Sequence, residues 1–315
     1  MIPHALLIAG PTASGKSALA LDLARALDGE IINTDSMQVY AGLRVLTAGP
    51  SEAEEALVPH RLYGIRAPAE AGSVAWWRDA ALAAMQAARD AGRLPILCGG
   101  TGMYFSALTQ GLSPMPPVTE ADRAAARALL ADIGPAALHQ RLAQADPDTA
   151  ARLRPTDPQR LARAWEVFAG TGRGLASWQS EPGTGPAPWR FAAILLDPSR
   201  DTLRAAIAAR WAAMLKGGAM EEVTALLAQN LDPSLPAMRA HGVPELAAVA
   251  AGSITLEEAG RRACLAMGQY TKRQATWFRH HDLGPTHRIY ARTTGLAQFS
   301  ESERAEIFAF VDGVR

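Results

Sequence analysis

An α/β fold is predicted, with a phosphate loop on a parallel sheet core, an inserted all-helical domain and a helical C-terminal region. Three features of the sequence point to it. Short apolar runs alternate with amphipathic stretches through the first third of the chain. A Gly-x-x-x-x-Gly-Lys-Ser segment, Gly10 to Ser17, sits where the first apolar run meets the first amphipathic stretch. A buried-strand pattern, Phe191 to Asp197, returns only after a long block that reads as helix throughout.

Element by element, the spacing predicts a strand near 4–10, a helix near 16–27, a strand near 30–35, a helix near 73–91 and a strand near 94–100. Strands alternating with helices of crossover length imply parallel pairing. Ser113-Pro114-Met115-Pro116-Pro117 breaks this pattern, and Glu181-Pro182-Gly183-Thr184-Gly185-Pro186-Ala187-Pro188 breaks the chain again. Between the two breakers, Ala- and Leu-rich helices are punctuated by Gly134-Pro135, Asp146-Pro147 and Asp157-Pro158, where Asp157 can cap a helix that Pro158 starts. Residues 114–186 are therefore expected to be an insertion. The segments 1–113 and 187–315 form the core domain, with a helix near 257–281 in its C-terminal part.

The chain has 315 residues, 49% of them hydrophobic and 20% charged, which suits an ordered protein of two domains and excludes a disordered chain. No apolar run is long enough to span a bilayer and the N-terminus has no signal-peptide layout, so a cytoplasmic protein without membrane contact is expected. Cys98 and Cys264 are too few for a disulfide framework or a thiolate metal site. The net charge of zero does not announce a nucleic-acid binder, so any such surface must be local. One basic stretch stands out: from Arg261 to Arg292 there are seven Lys or Arg residues against the single acid Asp282.

The loop Gly10-Pro11-Thr12-Ala13-Ser14-Gly15-Lys16-Ser17 lies between strand and helix, the context its chemistry needs. Backbone N–H groups can converge on phosphate oxygens, the helix N-terminus and Lys16 add positive charge, and Ser17 can ligate Mg²⁺. A polyphosphate is the expected ligand. Asn33-Thr34-Asp35-Ser36-Met37-Gln38-Val39-Tyr40 then puts an acid at the carboxyl edge of the sheet, where open α/β folds bind ligands. Asp35 there suits a general base and equally a turn or cap residue. Cys98-Gly99-Gly100-Thr101 brings a third strand end to the same edge, with Thr101 either a site hydroxyl or a helix cap.

Taken in order along most of the chain, these residues resemble the tRNA dimethylallyltransferase (tRNA isopentenyltransferase) family. The resemblance rests on the phosphate loop, on Asp35-Ser36-Met37-Gln38-Val39-Tyr40 and on Thr47-Ala48 with Val58-Pro59-His60. It extends through Leu94-Pro95-Ile96 with Gly99-Gly100-Thr101, Asp157-Pro158-Gln159-Arg160, Arg204 with Arg210, Lys272-Arg273-Gln274 and Trp277-Phe278-Arg279. It implies dimethylallyl diphosphate as donor and, as acceptor, the exocyclic amine of the adenosine 3′ to the anticodon in a tRNA anticodon stem-loop. Mg²⁺ is implied as cofactor. Gly10, Thr12, Ala13, Ser14, Gly15, Lys16 and Ser17 are implied as the diphosphate cradle, with Ser17 on the metal. Asp35 is implied as the base and Arg210 as a diphosphate contact, with Thr101 orienting either the base or the diphosphate. Without the resemblance, Arg210 reads as a solvated helix charge.

The RNA contacts implied in the same way are Asp35, Ser36, Met37, Gln38 and Thr101 at the site, and Arg123, Gln159, Arg160, Leu161, Ala162 and Arg163 in the inserted domain. Arg239, Lys272 and Arg273 complete that set, while Trp277 and Phe278 read equally as core. Two positions depart from the family pattern. Gly242-Val243 replaces a usual Gly-Tyr, which removes an aromatic contact, and Pro59-His60-Arg61-Leu62 replaces Pro-His-His-Leu, leaving His60 without an assigned role. A monomer is expected. The alternatives the motifs leave open are a small-molecule kinase with the same loop, a prenyltransferase acting on free adenine nucleotide, and a non-catalytic RNA-binding protein.

Overall fold

The computed structural model describes residues 2–116 and 118–313, so Pro117 of the first breaker lies outside the described residues. The chain divides into two compact units, one formed by Met1–Thr109 with Pro186–Arg315 and the other by Gln110–Gly185.

The larger unit holds a six-stranded parallel sheet in the order β3-β2-β4-β1-β5-β6. Its strands are β1 (His4–Ala9), β2 (Gly29–Asn33), β3 (His60–Arg61), β4 (Leu94–Gly99), β5 (Arg190–Leu196) and β6 (Thr286–Ile289). The main crossover helices are α1 (Lys16–Leu27) and α2 (Val74–Asp90), and α3 (Gly102–Thr109) follows β4. After α4 (Glu120–Ala145) and α5 (Pro158–Thr171) of the other unit, the chain beyond the second breaker forms α6 (Arg200–Lys216), α7 (Val243–Ala250), α8 (Leu256–His280) and α9 (Glu301–Asp312), with the helix Ala219–Leu227 between α6 and α7 and shorter helical turns elsewhere.

Both faces of the sheet are covered because both residue sets of each central strand are apolar. In β1, Leu7 and Ala9 join a cluster with Trp77, Met85, Phe105 and Trp211, while Leu6 and Ile8 join one with Leu19, Leu23, Ile307 and Val311. Pairing aligns Ala9 with Gly99 of β4 and Leu195 of β5, and Asn33 with Cys98. The loops after β1, β2, β4 and β5 therefore leave the sheet side by side. The strands β3 and β6 had no clear sequence signal, being two and four residues long.

Trp77 locks one of these strand ends. It is fully buried, stacks on Tyr104 at 4.1 Å and donates its indole N–H to the Asn33 carbonyl at 2.9 Å. Trp77→Ala leaves both a cavity and an unsatisfied carbonyl, so a loss of about 3–5 kcal/mol is expected in denaturant unfolding.

The smaller unit is helical. Its long elements are α4 (Glu120–Ala145), broken at Gly134, and α5 (Pro158–Thr171). Asp157 caps α5 through the Arg160 N–H and Pro158 occupies its first turn. Leu138, Leu142, Leu161 and Val167 form its core. Thr184 donates its N–H to the Leu112 carbonyl at 2.9 Å, so the entering and leaving strands of chain meet, the layout of an insertion. No helix among the described residues is long and apolar enough to cross a membrane.

Candidate active site

The phosphate loop is built from strained backbone. Ala13 has φ 66° and Gly15, which precedes α1, has φ 98°. A Cβ on Gly15 would lie 1.8 Å from the Thr293 carbonyl oxygen, so only glycine allows the segment after β6 to close on the loop. That segment also donates from Thr293 N to the Ser14 carbonyl at 3.1 Å and from Arg292 Nε to the Ala13 carbonyl at 3.1 Å. Loop carbonyls are thus bound from outside.

Lys16 opens α1 and donates from Nζ to the Pro11 carbonyl at 2.8 Å. Burial pushes its ammonium down to about 8, with the Asp35 charge acting in the opposite direction. The Ser14 hydroxyl is fully buried and has no partner among the described residues, and Ser17 is exposed on the first turn of the helix. Thr12 differs from expectation. Its N–H is spent on Gln274 Oε1 at 2.7 Å and so does not point at a phosphate.

Asp35 sits at the end of β2, held by the Asn33 side chain, whose Oδ1 accepts from Asp35 N at 2.8 Å while Nδ2 donates to the Asp35 and Leu62 carbonyls. Its own Oδ1 accepts from Met37 N at 2.9 Å, which makes it a turn residue with one oxygen. Its Oδ2 has no partner among the described residues, so the second oxygen is available. The turn and base readings are compatible.

Thr101 ties the third strand end to this one. Its Oγ1 accepts from Ser36 N at 2.9 Å and its N–H donates to the Thr34 carbonyl at 3.1 Å, with the Tyr270 phenol beside its side chain. Burial pushes that phenol up to about 12, so Tyr270 is neutral across the working pH range. Asp35 also acts on the charge of Arg210. Four groups, Lys16, Asp35, Thr101 and Arg210, therefore belong to one electrostatic neighbourhood.

Arg210 overturns its reading as a solvated helix charge. It lies on the buried side of α6, donates from Nη2 to the Thr47 carbonyl at 2.9 Å, and burial lowers its pKa. Its Nε is buried without a partner. Three buried side-chain polar atoms among the described residues lack partners, and two of them, Ser14 Oγ and Arg210 Nε, belong to this neighbourhood. Unsatisfied donors on an electropositive wall suit an anionic ligand.

Other expected residues fall differently. Gln38 uses Nε2 on the Thr47 and Ala48 carbonyls and Met37 packs on the main core, so both shape the loop that Arg210 also holds. Lys272 and Arg273 are exposed on α8, with the Arg273 guanidinium 5.6 Å from the Tyr270 ring centroid. Lys272 shares the lining of a groove of about 420 Å³ with Arg200, Arg204 and Arg279, between α6 and α8. Arg239 is exposed, whereas Val243 is buried in place of an aromatic contact. Trp277 packs against Gly102 and stacks on His281 at 3.9 Å, and Phe278 is core. His60 donates from Nδ1 to the Val58 carbonyl at 3.0 Å and meets Tyr63 edge-on, a structural role.

In the helical unit, Gln159 and Arg160 are exposed, Arg160 pairing with Asp157 at 3.4 Å. Arg163 pairs with Glu166, Arg123 with Glu120 at 3.5 Å, and Ala162 is half-buried. Leu161 is a correction: its side chain is fully buried in the unit's core, so it holds α5 in place and offers no surface to RNA. Thr293 is a site residue that the sequence did not single out, and Gln274 was legible only as part of the Lys272-Arg273-Gln274 motif, without a role. The signal for Gln274 was a polar residue on the apolar face of an amphipathic helix, where Thr271 is its only polar companion.

A parallel α/β sheet with a phosphate-loop sequence after its first strand, an acid at the adjacent strand end and two half-buried cations places the chain among the phosphate-loop α/β proteins. The family model described as IPP transferase matches residues 38–281, and the chain belongs to that family, the tRNA dimethylallyltransferases. It is 59% identical over 313 residues to the tRNA dimethylallyltransferase of Gluconobacter oxydans, covering 98% of this chain and 94% of the relative. Identity to the Gluconacetobacter diazotrophicus enzyme of the same name is also 59%, over 97% of this chain and 93% of that one. Among crystal structures, the tRNA isopentenylpyrophosphate transferase of Bacillus halodurans superposes with a TM-score of 0.69 at 31% identity, covering 98% of this chain and 96% of that one.

Proposed function

We propose that this chain transfers the dimethylallyl group of dimethylallyl diphosphate to the N6 amine of the adenosine 3′-adjacent to the anticodon of a tRNA. The observation that carries this reading is the pair of half-buried cations, Lys16 and Arg210, under the field of a carboxylate that keeps one oxygen unpartnered.

In the reaction the bond from the allylic carbon to the diphosphate oxygen breaks, a bond from that carbon to N6 forms, and N6 gives up one proton. Negative charge gathers on the leaving diphosphate, and preorganised donors lower that barrier. Lys16, Arg210 and the Ser14 hydroxyl supply them. The amine lone pair is delocalised into the purine ring, so Asp35 Oδ2 takes the departing proton as the new bond forms. Thr101, fixed by Ser36 and the Thr34 carbonyl, orients the groups between. The target base leaves its stack to enter the site.

Mg²⁺ fits the donor set. Ser17 exposes a hydroxyl on the first turn of α1, and no cluster of three His, Cys, Asp or Glu side chains among the described residues offers a rival metal site. A hard cation that keeps its waters and takes most other oxygens from diphosphate needs little more from the protein. Bound there, it would neutralise charge on the leaving group.

The RNA is gripped by Lys272, Arg273 and Arg239 on the larger unit and by Arg123, Gln159, Arg160 and Arg163 on the helical one. A monomer carries every residue named, and the reaction belongs in the cytoplasm with its tRNA. Arg160→Ala with Arg163→Ala is expected to weaken tRNA binding and to flatten its salt dependence by roughly one to two units of slope in a log–log plot. An unchanged slope would return both residues to the role of solvated helix charges.

The function is tested by incubating the protein with unmodified tRNA, Mg²⁺ and labelled dimethylallyl diphosphate, with free AMP replacing tRNA in a second arm and labelled ATP replacing the donor in a third. Label is expected in tRNA in the first arm alone. Label in AMP, or phosphoryl transfer from ATP, would overturn the assignment.

A further inference from the structure

We propose that Gln274 is a positioning residue that holds the donor side and the acceptor side of the site in register through the two ends of one carboxamide. Its Oε1 accepts from Thr12 N in the phosphate loop at 2.7 Å, and its Nε2 donates to the Gly100 carbonyl at 2.9 Å. The side chain is 4% exposed, so neither bond is diluted by water. An N–H on one side and a carbonyl on the other fix which amide atom is which.

The two anchors lie on neighbouring strand ends. Thr12 belongs to the loop that leaves β1. Gly100 precedes Thr101, whose hydroxyl holds Ser36 beside Asp35. Without such a link these are separate backbone turns, free to shift against each other by the fraction of an ångström that decides catalytic alignment. Close approach is built in at the Gly100 end. A Cβ on Gly100 would lie 2.2 Å from Gln274 Nε2, so the strand end is glycine where the carboxamide must pass.

The helix that carries Gln274 is itself held at its C-terminal end. Arg279 makes two bonds to Asp197 at the end of β5, at 3.0 and 3.3 Å. Gln274 is flanked on the chain by the exposed Arg273, and the Tyr270 phenol, one turn back, lies beside Gln274 and Thr101. One helix thus presents cations outward and the carboxamide inward. Seating α8 correctly sets the phosphate loop and the Gly100-Thr101 turn together, although Gln274 itself touches neither substrate.

The proposal rests on the function above for its activity assay, and a binding measurement that needs no acceptor keeps the two separable. Gln274→Leu preserves packing and removes both bonds. It is expected to weaken calorimetric binding of Mg²⁺-pyrophosphate by about tenfold and to lower kcat on the order of 10- to 100-fold. The Kd for tRNA should stay within twofold.

Gln274→Glu adds a readout that a merely structural role would not move. A buried carboxyl is neutral at low pH, where its C=O accepts and its O–H donates as the amide does, and it loses the donor on ionising. The kcat/KM of Gln274→Glu, divided by that of the unsubstituted enzyme at each pH, should therefore rise severalfold from pH 8.5 to 6, while the same ratio for Gln274→Leu stays flat. Pyrophosphate affinity of Gln274→Leu within twofold of the unsubstituted enzyme, or a pH-independent ratio for Gln274→Glu, overturns the proposal. Absence of prenyl transfer in the unsubstituted enzyme would sink the functional reading and leave pyrophosphate binding to decide this one.

Discussion

Asp35→Ala is expected to reduce prenyl transfer by about 10²- to 10⁴-fold while leaving tRNA affinity within a few-fold, because in the proposed reaction the carboxylate moves a proton and does not carry the grip on RNA. The geometry makes the substitution informative. One oxygen of Asp35 closes a turn through Met37 N, so Ala also removes a local hydrogen bond. Asp35→Asn separates the contributions: its Oδ1 still accepts from Met37 N, the turn persists, and only basicity is lost. Single-turnover rates should be equally low for Ala and Asn, and thermal stability should fall for Ala alone. If Asn retained near-normal chemistry, Asp35 would be a turn residue and the proton would leave another way.

The sheet edge was legible because its three loops each carry a local constraint that sequence displays. A phosphate loop needs Gly10, Gly15 and Lys16 at fixed spacing, β2 ends in an acid, and Gly99-Gly100 announces a close approach. The sheet's outer strands were not legible. With two to four residues each, β3 and β6 show no periodicity, and they form because neighbours already in place offer backbone partners.

Arg210 was singled out by the resemblance alone. Without it a cation on an amphipathic helix reads as solvated, and the bond to the Thr47 carbonyl, 163 positions away, shows the guanidinium turned inward. Leu161 fails in the opposite sense. It lies between Arg160 and Arg163, yet the 100° step between successive helix residues turns it inward, so a run of neighbours was read as one surface. Gln274 and Thr293 act on the loop from 262 and 279 positions away, counted to Thr12 and Ser14 respectively, and no local window contains both partners.

Lys16→Met is expected to lower kcat/KM for the prenyl donor by about 10²- to 10³-fold, the cost of one preorganised donor to the departing charge. Its pH dependence follows from the site's own electrostatics. Burial holds the free-enzyme ammonium at about 8, so below that pH Lys16 is charged and grips the diphosphate. As pH rises through 8 the charge is lost, and kcat/KM should fall by roughly tenfold for each further unit. Bound diphosphate pulls the proton back, so kcat for the saturated enzyme should bend at a higher pH than kcat/KM. Folding responds with the opposite sign. Between about 8 and the ordinary lysine value of 10.5 the unfolded chain binds more protons than the native one, so this group adds stability as pH rises while the activity declines. Lys16→Arg should keep its charge and abolish the alkaline limb of kcat/KM, whatever it costs in absolute rate. An alkaline limb surviving unchanged in Lys16→Arg would assign that titration to a different group and remove Lys16 from the grip on the leaving diphosphate.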